Sequence, residues 1–318
     1  MEDNSPIFIT GTWRSGSTLI SRILNAHQNI NIIYDGVHIL NFISLDEINK
    51  KKIFQIKRKE YSINKITKKR FNVKIELKDK KINKFYISIL KQISKNSKKQ
   101  ILGEKSNVQW RKINDFLRVF PNGRVLHIIR DPRAVLASWK NFTYAKNSKY
   151  LDSIFNSYDS MKFGLEYKKK YKLRRYSLVK YEDLVLEPKK TLIRIMRKFR
   201  IKYDKNMLDT KNFVDNFGKK WNSNSVYRLN HRNKIYKKNI NMWKKKLNNN
   251  EIFICEKLLN DLMIKYGYIR QYKKNKITDK SLSVIVKKLS NSDFLRSALI
   301  DLTIKNQGKQ RFPLKTIK

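Results

Sequence analysis

The sequence predicts an α/β fold of the P-loop type: a parallel β-sheet flanked by helices, with a helical insertion after the second strand. Three observations predict it. The apolar run Pro6-Ile7-Phe8-Ile9 delivers Gly11-Thr12-Trp13-Arg14-Ser15-Gly16-Ser17-Thr18 and then Leu19-Ile20-Ser21-Arg22-Ile23-Leu24 at helical periodicity, the order strand, loop, helix. Short apolar runs then alternate with helical patterns, as in a parallel sheet covered on both faces. Finally, the polar residues suited to chemistry fall where those runs end, and ligands of such sheets bind at the carboxyl ends of the strands.

The opening loop keeps the G-x-x-x-x-G-K-[ST] spacing through Gly11, Gly16 and Ser17-Thr18. Successive backbone N–H groups can therefore wrap an anion at a positive helix N-terminus. Ser17 stands where nucleoside-triphosphate enzymes carry the lysine that reaches the β/γ-phosphates, and Arg14 supplies charge earlier in the loop. A different phosphate-bearing donor is expected. After the first helix, Asn31 to Asp35 reads as a second strand turning at Asp35-Gly36. Residues from about 37 to 100 are Lys-rich with apolar positions at irregular helical spacing, a mostly helical insertion. Gln100 to Ser106 and Arg124 to Arg130 read as the third and fourth strands. Asp131-Pro132 then pairs an acidic cap with proline at the first helical position, and Ala134 to Trp139 continues as a helix. A helix over about 148–170 leads to a fifth strand, Tyr176 to Tyr181. Residues 205–250 are loop-like and basic, and a helix over about 250–266 ends at Gly267.

With 318 residues the chain can bury a full core. Its first strand begins within a few residues, with no signal-peptide pattern ahead of it, so a cytoplasmic location is expected. Cys255 lies among Ile252, Leu258, Leu259 and Leu262 at helical spacing and reads as core. His27, His38, His127 and His231 are too dispersed for a metal motif, so no metal is expected. The formal charge of +47 raises the on-rate of any anionic ligand. Neither zinc-finger spacing nor an RNA-recognition pattern accompanies it, and the lysines are scattered among Asn and Ile as in an AT-rich coding sequence. No nucleic-acid partner is expected. The basic tail over 271–318 suits packing as helices on the domain, the favoured reading, or peripheral membrane contact with an anionic surface.

Together these residues resemble the sulfotransferase family, which uses 3′-phosphoadenosine 5′-phosphosulfate (PAPS). Trp13 to Thr18 is similar to the family's 5′-phosphosulfate loop. Val125 to Trp139, with Arg130-Asp131-Pro132-Arg133 and with Ser138 eight residues after Arg130, is similar to its 3′-phosphate motif. Gly103-Glu104-Lys105-Ser106, Lys180-Tyr181-Glu182-Asp183-Leu184 with Pro188, and Trp243, Leu247, Leu258-Leu259 and Tyr266-Gly267-Tyr268 add further matches. The resemblance covers roughly residues 6–270, excluding much of 37–100. Phe8 to Asp35 is most similar to the tyrosylprotein and related bacterial branch.

That resemblance implies a sulfotransferase domain over 1–270 and an extension over 271–318. It implies cofactor binding by Arg14, Ser15, Gly16, Ser17, Thr18, Arg130 and Ser138, and charge stabilisation by Arg14 and Lys105. It also implies a carboxylate base at Asp35, where an Asp-Gly turn residue is the competing reading. His38 is the rival base; Glu104 is a third candidate, read instead as paired with a neighbouring basic group. Arg133 is a weaker candidate beside Arg130 and Ser138, an exposed first-turn arginine being the competing reading. Ser223 to Lys238 is expected to close over the nucleotide, with Ser225, Tyr236 and Lys237 as candidates. The expected acceptor is a hydroxyl on a carbohydrate or other small molecule. A P-loop nucleotide kinase and a non-catalytic polyanion-binding protein are the alternatives. Ser17 and the lack of a magnesium-holding residue oppose the first, and only charge favours the second.

Overall fold

The computed structural model describes residues 5–34, 37–140, 149–172, 175–214, 237 and 240–271. The chain forms two compact units, one of residues 1–129 and 163–236, the other of residues 130–162 and 237–318. The first holds a sheet of β1 (Ile7–Gly11), β2 (Ile30–Tyr34), β3 (Ile101–Lys105), β4 (Arg124–Ile129) and β5 (Tyr176–Lys180). All four pairings are parallel, in the order β2-β3-β1-β4-β5. The strand feeding the loop from Gly11 to Thr18 is therefore central. β1, β3 and β4 are buried along their whole length, which is why they read as unbroken apolar runs rather than alternating ones.

In-register partners on neighbouring strands share a face, and successive residues alternate between faces. Phe8 lies opposite Glu104 and Val125, Ile33 opposite Glu104, and Val125 opposite Tyr176. That face meets the helices between β2 and β3, which are α2 (Leu45–Lys50), α3 (Ile56–Phe71) and α4 (Ile82–Ile93), and then α5 (Ile113–Val119). Ile63, Phe85, Tyr86, Ile89 and Phe116 join Phe8 and Val125 in one cluster, with Phe8 and Phe116 stacked at 5.1 Å between ring centroids. Each such side chain contributes about 1.5–3 kcal/mol when fully buried. The Lys-rich insertion is thus part of the main core, with most of its lysines turned outward. Its first helix is fixed by a capping box between Ser44 and Glu47.

The opposite face receives α1 (Ser17–Asn25), which buries Leu19, Ile20, Ile23 and Leu24. β5 runs directly into α8 (Tyr181–Leu186), so Tyr181 is the first helical residue rather than the last of the strand. Pro188 opens α9 (Pro188–Phe199), which buries Leu192, Ile195, Met196 and Phe199 along one stripe. His127, in the middle of β4, stacks on Trp110 and shares a 2.9 Å hydrogen bond with the Tyr176 hydroxyl. Burial pushes its pKa down to about 3, so it stays a neutral core residue.

The second unit contains α6 (Pro132–Lys140), the first turns of α7 (Asp152–Lys170), α10 (Trp243–Lys246) and α11 (Asn249–Lys265). Asp131 accepts from the Arg133 N–H at 2.9 Å and caps α6, with Pro132 at its first position. Arg133 itself is buried, contrary to the exposed first-turn arginine expected from sequence. Its guanidinium pairs with Asp131 at 2.6 Å and with Glu256 at 2.5 Å, donates to the Ile269 carbonyl at 2.9 Å, and lies 4.0 Å over the Trp243 ring. Its surroundings are those of a structural pair. Cys255 is fully buried beside this cluster, and burial holds its thiol well above the ordinary range. No helix among the described residues is long and apolar enough to cross a membrane. The tail over 272–318 lies outside them.

Candidate active site

Parallel pairing places the carboxyl ends of all five strands on one edge, where Gly11, Tyr34, Lys105, Ile129 and Lys180 are the last residues. The loop leaving Gly11 is tightly built. Gly11 has no room for a side chain: a Cβ there would lie 2.3 Å from the Ile128 carbonyl oxygen and 2.8 Å from Ser15 Oγ. Ser15 donates from both N–H (3.2 Å) and Oγ (2.7 Å) to the Thr12 carbonyl, closing the turn that carries Trp13 and Arg14. Its hydroxyl therefore shapes the loop. Arg14 has φ 68°, a left-handed conformation costly for a residue with a Cβ and characteristic of strained functional loops.

Gly16 has φ 99°, and a Cβ on it would meet the Tyr181 ring at 2.4 Å. The tyrosine of α8 thus lies beneath the loop and requires glycine above it. α1 begins on Gly16 with no side-chain cap and no acidic residue in its first turn. Its leading N–H groups and the positive end of its dipole are left for an external anion.

The exit of β3 is laced onto this loop. Ser106 N–H donates to the Ile9 carbonyl (2.8 Å), Val108 N–H to the Gly11 carbonyl (2.9 Å), and Gln109 N–H to Thr10 Oγ1 (3.1 Å). Asn107 is thereby placed to accept from Ser17 Oγ at 2.7 Å. Because Lys105 follows Glu104 on the strand, the two point to opposite faces. Lys105 turns toward α1, where its buried Nζ donates to Thr18 Oγ1 at 3.4 Å. Glu104 turns toward the insertion, where its carboxylate accepts from the Tyr86 hydroxyl at 2.9 Å and from Ile39 N–H at 3.4 Å. Among the described residues its hydrogen-bond partners are a phenol and a backbone amide, not the neighbouring basic group expected from sequence.

Burial pushes Glu104 up to about 7, against 4.5 for a free glutamate. Between those values the unfolded chain is ionised while the folded one keeps its proton, so stability falls as pH rises through the window, by about 1.4 kcal/mol per unit. Glu104→Gln cannot ionise. Its melting temperature relative to wild type is expected to climb between pH 5 and pH 7.5, and parallel melting profiles across that range would show that Glu104 is ionised in the fold.

The first unit brings Arg14, Ser15, Gly16, Ser17 and Thr18 together with Lys105. Arg130 and Ser138 belong to the second, half-buried, one directly after β4 and the other in the last turns of α6. Asp35 lies outside the described residues, as do Ser225 and Tyr236; Lys237 is described and exposed. His38 is described, with φ 54°. Among the described residues no group of three His, Cys, Asp or Glu side chains could hold a metal. Asn107, Tyr181 and Tyr86 shape the site without having been expected to. Asn107 lies 90 residues from Ser17, and only the adjacency of β3 to β1 joins them.

The family model described as the sulfotransferase family matches residues 6–205. Among solved structures, the chain is similar to the sulfotransferase domain of the olefin synthase from Synechococcus PCC 7002, with 19% identity and a TM-score of 0.56 over 85% of this chain and 98% of that one. It is also similar to the sulfotransferase domain from the curacin biosynthetic pathway, with 16% identity and a TM-score of 0.54 over 85% of this chain and 100% of that one. At these identities the likeness is one of fold. No curated protein sequence matches the chain. A glycine-bounded strand-to-helix loop leaves the central strand of a five-stranded parallel sheet, and the family model spans more than half of the 318 residues, so the chain belongs to the sulfotransferase family.

Proposed function

We propose that this chain transfers a sulfuryl group from PAPS to a hydroxyl on a carbohydrate or other small molecule, leaving a sulfate ester and adenosine 3′,5′-bisphosphate. The observation that carries the reading is the uncapped, acid-free N-terminus of α1, with the Lys105 ammonium 3.4 Å from Thr18 at its first turn. The residues fit such a donor. Gly11 and Gly16 bring backbone close where a Cβ would collide, a cradle for a 5′-phosphate, and Ser17 leaves no lysine to span a triphosphate. A cytoplasmic setting and a domain boundary near residue 270 belong to the same reading.

When bound, PAPS supplies the sulfuryl group. The N–H groups from Ser15 to Thr18 hold phosphate oxygens, and Thr18 adds a hydroxyl. Arg130 offers a forked guanidinium and Ser138 a hydroxyl to the 3′-phosphate. Arg14 and Lys105 stabilise the negative charge that builds on transferring and bridging oxygens, the kind of fixed charge that dominates such reactions. Asp35, next after the last residue of β2, takes the acceptor proton. Glu104, enclosed by Tyr86 and backbone amides, positions the exit of β3 instead.

Calorimetric titration without magnesium tests the donor. Adenosine 3′,5′-bisphosphate is expected to bind more tightly than ATP, and Arg130→Ala to weaken it by about tenfold or more, the worth of one charge-assisted phosphate contact. Equal binding of both nucleotides, or an unaffected mutant, would sink the assignment.

A further inference from the structure

A second concave surface lies at the opposite end of the sheet. It is a cleft of about 1230 Å³ formed by residues 121–122 just before β4, the first three residues of β5, and the C-terminal turns of α7 and α9. The cleft opens at the amino end of β5 and reaches up it to Leu178, two residues or about 7 Å short of Lys180 at the carboxyl edge. Eight of its fifteen lining residues are Lys or Arg, and none is acidic.

Two ordinary explanations fall short of that charge. Cations favour helix C-termini, but two macrodipole ends amount to only about one negative charge in total. Arg194 approaches Asp183 at 3.5 Å in an exposed pair, which offsets one more. Arg175 donates to the Asn122 carbonyl at 3.3 Å and Lys198 to the Lys172 carbonyl at 2.5 Å, and the remaining cations line one concavity, where a bound anion relieves their mutual repulsion.

We propose that this cleft binds a soluble ligand carrying several phosphate or sulfate ester groups, independently of the sulfuryl-transfer site. Its volume accommodates several such groups at once, and Lys168, Lys169, Lys172, Arg197 and Arg200 supply charge from two helices and the turns after them. The lining disfavours single-stranded nucleic acid, which needs free aromatic faces for stacking. The rings of its two tyrosines, Tyr171 and Tyr176, pack on each other and on Tyr167. A bilayer is disfavoured because its flat surface meets the rim of a cleft and not its floor.

The test uses the full chain and inositol hexakisphosphate as probe, titrated calorimetrically at physiological salt. The cleft variant Lys169→Gln/Lys172→Gln/Arg197→Gln is compared with an equally neutralised control on α3, Lys65→Gln/Lys68→Gln/Lys69→Gln, and with Arg14→Ala at the phosphate loop. The six positions other than Arg14 are not needed for the transfer reading, so the two proposals fail separately. The cleft variant is expected to lose about tenfold or more in affinity, and the other two less than about twofold, because only close, converging charges are felt strongly through water. A heparin tetrasaccharide showing the same dependence identifies sulfate esters as a source; hexakisphosphate alone doing so identifies phosphate esters. Equal losses in the cleft and control variants, loss confined to Arg14→Ala, or no binding by wild type overturns the proposal. Tighter, cleft-dependent binding of oligothymidylate or of phosphatidylserine vesicles overturns it too, by naming a different ligand.

Discussion

Lys105→Met is expected to lower kcat by about 10²–10³-fold, the loss seen when one preorganised charge-stabilising donor is removed from a transition state. The reason is placement. Lys105 is the last residue of β3, its side chain is buried, and its Nζ reaches Thr18 at the start of α1, where an anion is expected to sit. Methionine keeps an unbranched apolar stem of similar length, so the packing around α1 should survive and the melting temperature should move little. Nucleotide affinity separates the roles: an interaction felt mainly in the transition state lowers kcat while leaving bisphosphate binding within a few-fold. A variant that turns over within about threefold of wild type would reduce Lys105 to a buried structural lysine, whatever its effect on melting.

Much of this site is legible in the sequence because its parts are local. Gly11 to Thr18 carries its own geometry in two glycines and a helix start, and Asp131-Pro132 announces α6 in two residues. What the sequence does not reveal depends on which strands become neighbours. Nothing in Ser106-Asn107 indicates that Asn107 meets Ser17, and nothing in Lys180-Tyr181 indicates that the tyrosine ring lies under Gly16. Both contacts follow from the sheet order, and parallel strands joined by long crossovers leave no short-range signature of order. The alternation of Glu104 and Lys105 between faces was available from the period of a strand. That the Glu104 face is the deeply apolar one required knowing that the helices of 45–93 fold onto it.

The Lys-rich insertion illustrates the same limit from the other side. Its lysines dominate the composition, yet Ile63, Phe71, Ile75, Leu77, Phe85 and Tyr86 sit within the main cluster. Charged residues on the outer face weaken the apparent periodicity of a helix without changing what its inner face buries. Arg133 was misread for a comparable reason. A first-turn arginine is exposed in most helices, and only the return of the chain through α11, more than 100 residues later, encloses it.

That enclosure makes Arg133→Ala the most destabilising change expected in the second unit, at about 3–5 kcal/mol, because it strands two buried carboxylates at once. Asp131 and Glu256 are both buried, and the guanidinium also covers the Trp243 ring and holds the Ile269 carbonyl. Glu256→Gln should cost less, since it leaves Arg133 its fork on Asp131, and the glutamine oxygen still accepts from Gln271 N–H. Arg133→Lys should fall near alanine, as a point ammonium cannot reach three acceptors in the plane of a guanidinium. Thermal melts of the full chain read the order directly: at about 2–4 °C per kcal/mol, the scale for a large domain, Arg133→Ala should melt roughly 10 °C below wild type. Melting within about 2 °C of wild type would mean that the three charges are already solvated, and that α6 and α11 are held together by their apolar contacts alone.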